Sequence, residues 1–266
     1  MNKYWNEFLK KGKIKNLPVI DIHCHMGFFY GSHMPYTEPE KMAERMEISG
    51  VKLCVFAHHY SLFDPEIGNK IVIEVVRRFP DKFKGYFSIN PNYNLKDNIE
   101  NFEKYNDVFV GFKLLPDYHK VPLSDRRYKN IFDFADEKGI IILSHTWGGS
   151  IYNGPIEVEK ILKKYKKIKL ILGHSLHSAW DKTIEIIKNY ENAYLELCAV
   201  MDERGVLEKI VSEIGSDKIL FGTDFPWFNH HYYIGSLFGA GLSENEIRKI
   251  LYLNSFKLLF PTGKGE

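Results

Sequence analysis

Two histidines one residue apart, His23 and His25, are the sharpest chemical feature of this sequence. They end the apolar run Pro18-Val19-Ile20-Asp21-Ile22-His23, which has the composition of a buried strand. Side chains two apart on a strand point to the same side, so both imidazoles face one way and Cys24 turns the other way, against a helix. Two imidazoles on one face make half of a zinc-type site. Ordinary hydrogen bonding in a loop is the plain alternative for such a pair. Other apolar runs also end in polar groups. His145 follows Ile140-Ile141-Ile142-Leu143, and Asp224 follows Leu220-Phe221-Gly222-Thr223. A carboxylate there is costly to bury without a partner or a metal, although capping a helix would also employ it. His23, His25, His145 and Asp224 together offer three neutral nitrogens and one anionic oxygen. That donor set suits Zn²⁺ and tolerates Fe²⁺ or Mn²⁺. His58-His59, Asn90, Lys113, His174 and Glu196 stand at or near the ends of the remaining runs.

The elements that must hold these groups follow from the alternation of short apolar runs with segments of helical period. Strands are expected at 18–23, 51–57, 83–89, 108–115, 140–144, 168–172, 193–200 and 218–221. Helices are expected at 38–49, 69–79, 95–105, 127–138, 179–190 and 203–214, and in the Lys-rich segment before residue 168. A last helix begins at the cap Ser243, with Glu246 three residues on as a capping box, and runs to about Leu259. Strict alternation means a parallel sheet with helical crossovers, and eight units at 266 residues point to an α/β fold. The expected architecture is a single (β/α)8 TIM barrel, residues 1–266 forming one domain, with residues 1–16 as a short N-terminal helical extension. An open doubly wound sheet is the alternative that periodicity alone leaves. In a barrel the chemistry sits at the carboxyl ends of the strands, where the histidines collect.

Composition narrows the function. Hydrophobic residues make up 44% and charged residues 26%, enough for a packed core, and the net charge of +2 does not describe a nucleic-acid binder. Lys163-Lys164-Tyr165-Lys166-Lys167 reads as the solvated end of a helix. The three cysteines, Cys24, Cys54 and Cys198, are widely spaced and suggest neither a disulfide framework nor a Cys-based zinc site. No signal peptide or membrane span is expected, which places the protein in the cytoplasm with no membrane partner.

Several local motifs, in order along nearly the whole chain, resemble the amidohydrolase superfamily. More narrowly, they resemble the branch that includes the aminocarboxymuconate-semialdehyde decarboxylase group. They are Asp21-Ile22-His23-Cys24-His25, Phe79-Pro80-Asp81-Lys82-Phe83, Ser88-Ile89-Asn90-Pro91 and Gly111-Phe112-Lys113-Leu114. Ser144-His145-Thr146, Gly173-His174-Ser175, Phe221-Gly222-Thr223-Asp224-Phe225-Pro226 and the tail Asn254 to Phe260 complete the set. The resemblance implies that His23, His25, His145 and Asp224 bind a divalent metal. It makes His174 and Lys113 the candidates for a second metal, and His174 a positioner of water in one-metal members. Members of the branch often carry a histidine two residues after the lysine; this chain has Leu115 there and His119 further on.

The reaction expected is metal-dependent hydrolysis of an amide, ester or lactone of a small molecule, with Asp224 and His174 catalytic and Zn²⁺ the first candidate ion. The alternative is non-oxidative decarboxylation of a small carboxylated substrate. That reaction wants an arginine, for which the strand-end loops offer only Arg126, Arg127 and Arg204. A non-catalytic metal-binding barrel is the alternative of another class. Phe28, Trp147, His177 and Trp227 are expected to line the pocket, and the segment 28–39 to serve as a lid. His58, His59, His177, His230 and His231 could donate polar contacts to the pocket, although each taken alone reads as a solvated loop residue. The partner is a small-molecule substrate, not a nucleic acid, and the resemblance adds a homodimer.

Overall fold

Eight parallel strands pair in the order of the sequence in the computed structural model, which describes residues 3–93 and 97–261. They are β1 (Val19–Met26), β2 (Val51–His58), β3 (Phe83–Ile89), β4 (Phe109–Leu114), β5 (Ile141–Trp147), β6 (Lys169–His177), β7 (Ala193–Glu196) and β8 (Ile219–Leu220). Helices α1 (Lys3–Lys11) and α2 (Pro39–Ser49) flank β1, and α3 (Pro65–Arg78) and α4 (Asn98–Lys104) follow β2 and β3. The single turn α5 (Pro116–His119) and helix α6 (Lys129–Lys138) follow β4. Helices α7 (Pro155–Lys164), α8 (Trp180–Asn189) and α9 (Val206–Ile214) follow β5, β6 and β7. After β8 come α10 (His230–Gly239), α11 (Glu244–Arg248) and α12 (Asn254–Leu259). The barrel closes beyond β8, where Ile22 N donates to Phe221 O, Asp224 N to His23 O and His25 N to Phe225 O at 2.7–2.9 Å. Closure thus brings Asp224 to the histidine pair through the backbone itself.

Burial follows from this geometry. Ile22, Val55, Tyr86, Leu143, Ile171 and Leu220 fill the inside of the barrel. A larger apolar shell between strands and helices takes the opposite faces of the same strands. Gly111 has no room for a side chain. A Cβ there would stand 2.2 Å from the carbonyl oxygen of Ile141 on the paired strand. Gly111→Ala should therefore destabilise the barrel by about 1–3 kcal/mol, read as a lower urea midpoint with an unchanged slope.

Strand β1 carries a bulge that alternation did not foretell. Asp21 pairs with Cys54 and Cys24 with Phe56, so three steps on β1 match two on β2. Asp21 and Cys24 therefore share the outward side, while His23 and His25 keep the inward one. Strand β7 stops at Glu196, short of the expected 200, because the chain turns through Ala199 at φ 62°. Helix α10 occupies a stretch read as loop. Asn229 caps it by accepting from His231 N, but its mixture of glycines and aromatics hides the helical period. The expected helix over 95–105 begins among undescribed residues and is seen over Asn98–Lys104. The capping box of Ser243 and Glu246 forms, and α11 runs through a π-helical turn into α12, ending at Leu259. Among the described residues no helix is long and apolar enough to cross a membrane.

Candidate active site

His23 is fully buried and held at both ring nitrogens. Its Nδ1 lies 3.1 Å from Glu196 Oε1, and Lys113 Nζ lies 2.7 Å from its Nε2. An ammonium can only donate, so Nε2 offers a lone pair and Nδ1 carries the proton. Glu196 also accepts from the backbone N–H groups of His174 and Cys198. Burial pushes Glu196 up to about 8. Its partners are nevertheless all donors, leaving nothing to receive a carboxyl proton, so it acts as the carboxylate. Burial also pulls Lys113 down to about 8, which leaves it mostly cationic at neutral pH.

Asp224 Oδ1 sits 3.0 Å from His25 Nε2 and 3.4 Å from His23 Nε2. These three donor atoms lie within 4.8 Å of one another. Asp224 Oδ1 is buried, yet no N–H or O–H points at it in hydrogen-bonding geometry. His174, Cys198 and Asp224 make a second group of the same kind. His145 lies beside the first trio. Its ring is 4.6 Å from that of His174, and its Nε2 faces Asp117 Oδ2 at 3.6 Å. Burial holds His23 and His174 well below the ordinary imidazole pKa and His145 at about 4. These rings are neutral at physiological pH, the form that ligates metal.

The backbone at these strand ends is strained. Asp224 has φ 60°, and His174, Ser175 and Leu176 have φ 63°, 50° and 55°. Left-handed conformations at such residues cost roughly 1–3 kcal/mol each and cluster at functional sites.

Above these groups lies a pocket of about 280 Å³, small even for a ligand site. Phe29, Tyr118, Trp147 and Trp227 line it together with Lys113 and His174. Two expected wall residues are elsewhere. Phe28 is 71% exposed, and its neighbour Phe29 faces inward instead. His177 stacks behind Trp147, with ring centroids 4.4 Å apart, and supports the wall without forming it. His59 is not a solvated loop residue either. It is buried, stacks on His25, receives Trp227 Nε1–H at 3.1 Å, and faces Gly27 O through Nδ1 at 2.7 Å. His58 and His230 are likewise buried. Leu115 lines the pocket and His119 does not. Glu196, Asp117 and Tyr118 are site residues to which the sequence assigns no role, and His59 is one that it leaves more readily in solvent than in the pocket. Strand-end position was the available signal for Glu196 and His59, whereas Asp117 and Tyr118 depend on the turn α5.

Solved structures share this architecture. An uncharacterised TIM-barrel protein from Bordetella bronchiseptica superposes with a TM-score of 0.75 at 20% identity, covering 91% of this chain and 98% of that one. A dihydroxybenzoic acid decarboxylase from Polaromonas, with bound manganese and the inhibitor 2-nitroresorcinol, gives 0.72 at 16% identity, covering 91% and 97%. A 4-oxalomesaconate hydratase from Rhodopseudomonas palustris gives 0.66 at 19%, covering 91% and 95%. At these identities the likeness is one of fold. No curated protein matches the sequence. The amidohydrolase family does match, over residues 20–260, and the chain belongs to that family.

Proposed function

We propose that the chain is a metal-dependent hydrolase acting on an amide, ester or lactone in a small, flat, uncharged molecule. The observation that carries this reading is an aromatic pocket, lined by no arginine, set directly over His23, His25 and Asp224. Arg127 is taken up by Asp125 and Asn92 at the surface, and neither Arg126 nor Arg204 lines the pocket. Asp202 does line it, which disfavours a substrate carboxylate.

The residues fit a divalent cation. Asp224 Oδ1 is a buried acceptor without a hydrogen bond that faces two imidazole nitrogens, and an ion there would displace the Lys113 ammonium from the His23 Nε2 lone pair. His23, His25 and Asp224 would hold one ion, with His145 beside them; His174 with Cys198 and Asp224 would offer a second, to which Lys113 could contribute only after losing its ammonium proton. Zinc is the first candidate for this donor set, and the manganese of the Polaromonas decarboxylase makes that metal the second. Such an ion supplies Lewis acidity and lowers the pKa of a water it holds.

The chain's own groups do the rest. Asp224 takes the proton of the attacking water and returns it to the leaving group. The His174 backbone is anchored by its bond to Glu196, and its ring, which lines the pocket, would polarise the substrate carbonyl. Phe29, Tyr118, Trp147 and Trp227 orient a flat substrate and exclude water.

The same flat pocket favours one second reading, decarboxylation, because the Polaromonas neighbour is a dihydroxybenzoic acid decarboxylase. Protein loaded with zinc or manganese should be assayed against aryl amides, aryl esters, lactones and dihydroxybenzoates. Acid release from an amide, ester or lactone without CO2 is the expected result. CO2 release from a benzoate, with no hydrolytic product from the others, reverses the ranking.

A further inference from the structure

On the other side of β1 from the pocket, the bulge brings Asp21 and Cys24 together on the outward face, opposite Cys54 of β2 and beneath His230 of α10. We propose that Asp21, Cys24, Cys54 and His230 form a structural zinc site, separate from the pocket and tying α10 to the β1–β2 pair.

Three observations support it. One donor atom from each of the four residues lies within 4.8 Å of every other, and all four side chains are buried. A tetrahedral zinc with bonds of about 2.0–2.3 Å requires ligand atoms roughly 3.3–3.8 Å apart, so the cluster needs only a small contraction. Two thiols, an imidazole and a carboxylate are also a zinc donor set, and structural sites are closed in this manner.

The hydrogen bonding is the third. Ser49 Oγ has one proton, and its nearest acceptor is Arg45 O at 2.9 Å, with Met46 O at 3.3 Å; with the proton given to the helix, Oγ accepts from His230 Nδ1 at 3.3 Å. In a neutral His230 with its proton on Nδ1, the Nε2 lone pair faces Asp21. Nε2 lies 3.1 Å from Asp21 Oδ2, yet no hydrogen bond joins them. An imidazole nitrogen facing a carboxylate oxygen at about this distance, without an aligned N–H, is also the arrangement of His25 and Asp224 in the pocket. In both places a cation between the two resolves the contact. Asp21 is meanwhile held as a ligand's carboxylate usually is, accepting from Thr223 Oγ1 and from the backbone N–H groups of Thr223 and His23. The rival is a metal-free imidazolium–carboxylate pair, toward which the neighbouring Asp21 and Cys54 raise His230 to about 9 against its burial.

Zinc entry releases the two thiol protons of Cys24 and Cys54, and the bonds form as the chain folds, since the cluster is closed to solvent. The pocket trio contains no sulfur, so cobalt substitution separates the two sites. Full-length protein loaded with Co²⁺ should show a thiolate-to-cobalt charge-transfer band in the near ultraviolet. The band should persist in Asp224→Ala and in Cys198→Ala and vanish in Cys54→Ser. Elemental analysis of zinc-loaded protein should show one equivalent lost in Cys54→Ser and that same equivalent retained in Asp224→Ala. A wild-type cobalt spectrum without the band overturns the proposal whether or not Cys54→Ser folds. A band that survives Cys54→Ser, or that is lost in Cys198→Ala, overturns it too. None of these outcomes depends on the reaction catalysed in the pocket.

Discussion

Asp224→Asn should reduce kcat by about 10²–10⁴-fold at matched metal occupancy, the usual worth of a positioned general acid–base. The substitution isolates the chemistry because it spares the fold. Asp224 sits at φ 60°, a conformation that asparagine tolerates nearly as well as aspartate, whereas alanine there would add backbone strain. The backbone bond from residue 224 to His23 O is untouched by the change. A carboxamide oxygen remains a weak metal ligand, but the group no longer takes a proton. The loss should therefore fall on kcat more than on KM, with little change in the thermal midpoint. Metal content by elemental analysis fixes the occupancy, and steady-state kinetics on the best substrate of the panel gives the ratio. Full turnover at full occupancy would remove Asp224 from proton transfer and leave it only a ligand.

The groups of this site were legible to the extent that strand parity and strand ends govern them. His23 and His25 face the same side of β1 because residues two apart on a regular stretch of strand do. Asp224 and His174 reach it because parallel strands deliver their carboxyl ends to one rim. Parity failed where the strand is irregular. Alternation would put Asp21 with His23 and His25, but one extra residue between Asp21 and Cys24 turns it to the opposite face. No propensity marks that bulge, because the register against β2 creates it. Pocket walls were less legible still. Phe28 and Phe29 are equivalent in composition, and only the path of the loop after β1 sends one to solvent and the other inward. His145 lies near the carboxyl end of its strand, two residues before Trp147, yet the turn α5 sets Asp117 beside its ring. Helix α10 was hidden because packing, not an apolar stripe, stabilises it. His230 lies against Phe225 with ring centroids 4.3 Å apart, and Tyr233 is fully buried.

Glu196 tests whether the histidines proposed to bind metal owe their geometry to one buried carboxylate. It holds the Nδ1 proton of His23 and anchors the backbone at His174 and Cys198, so three site residues meet at its two oxygens. A carboxylate in this position fixes the tautomer and raises the basicity of the ligating nitrogen, and its loss typically costs 10–100-fold in metal affinity. Glu196→Gln keeps the shape but must turn an NH2 group toward donors. If the amide nitrogen replaces Oε2 it faces the N–H of Cys198, and if it replaces Oε1 it faces His23 and His174. Either choice leaves buried donors unpaired, at about 1–3 kcal/mol. The expected result is metal affinity lowered about 10–100-fold, measured by competition with a chelator, together with a lower thermal midpoint. Gly222 gives an independent push on the same group, since a Cβ there would lie 2.3 Å from Glu196 Oε2. Gly222→Ala should thus weaken metal binding while leaving every ligand in place, and Gly149→Ala, with nothing within 4 Å of its added carbon, should not. If both Glu196→Gln and Gly222→Ala bind metal as tightly as the parent, the carboxylate is structural and His23 takes its orientation from Lys113 and the strand alone.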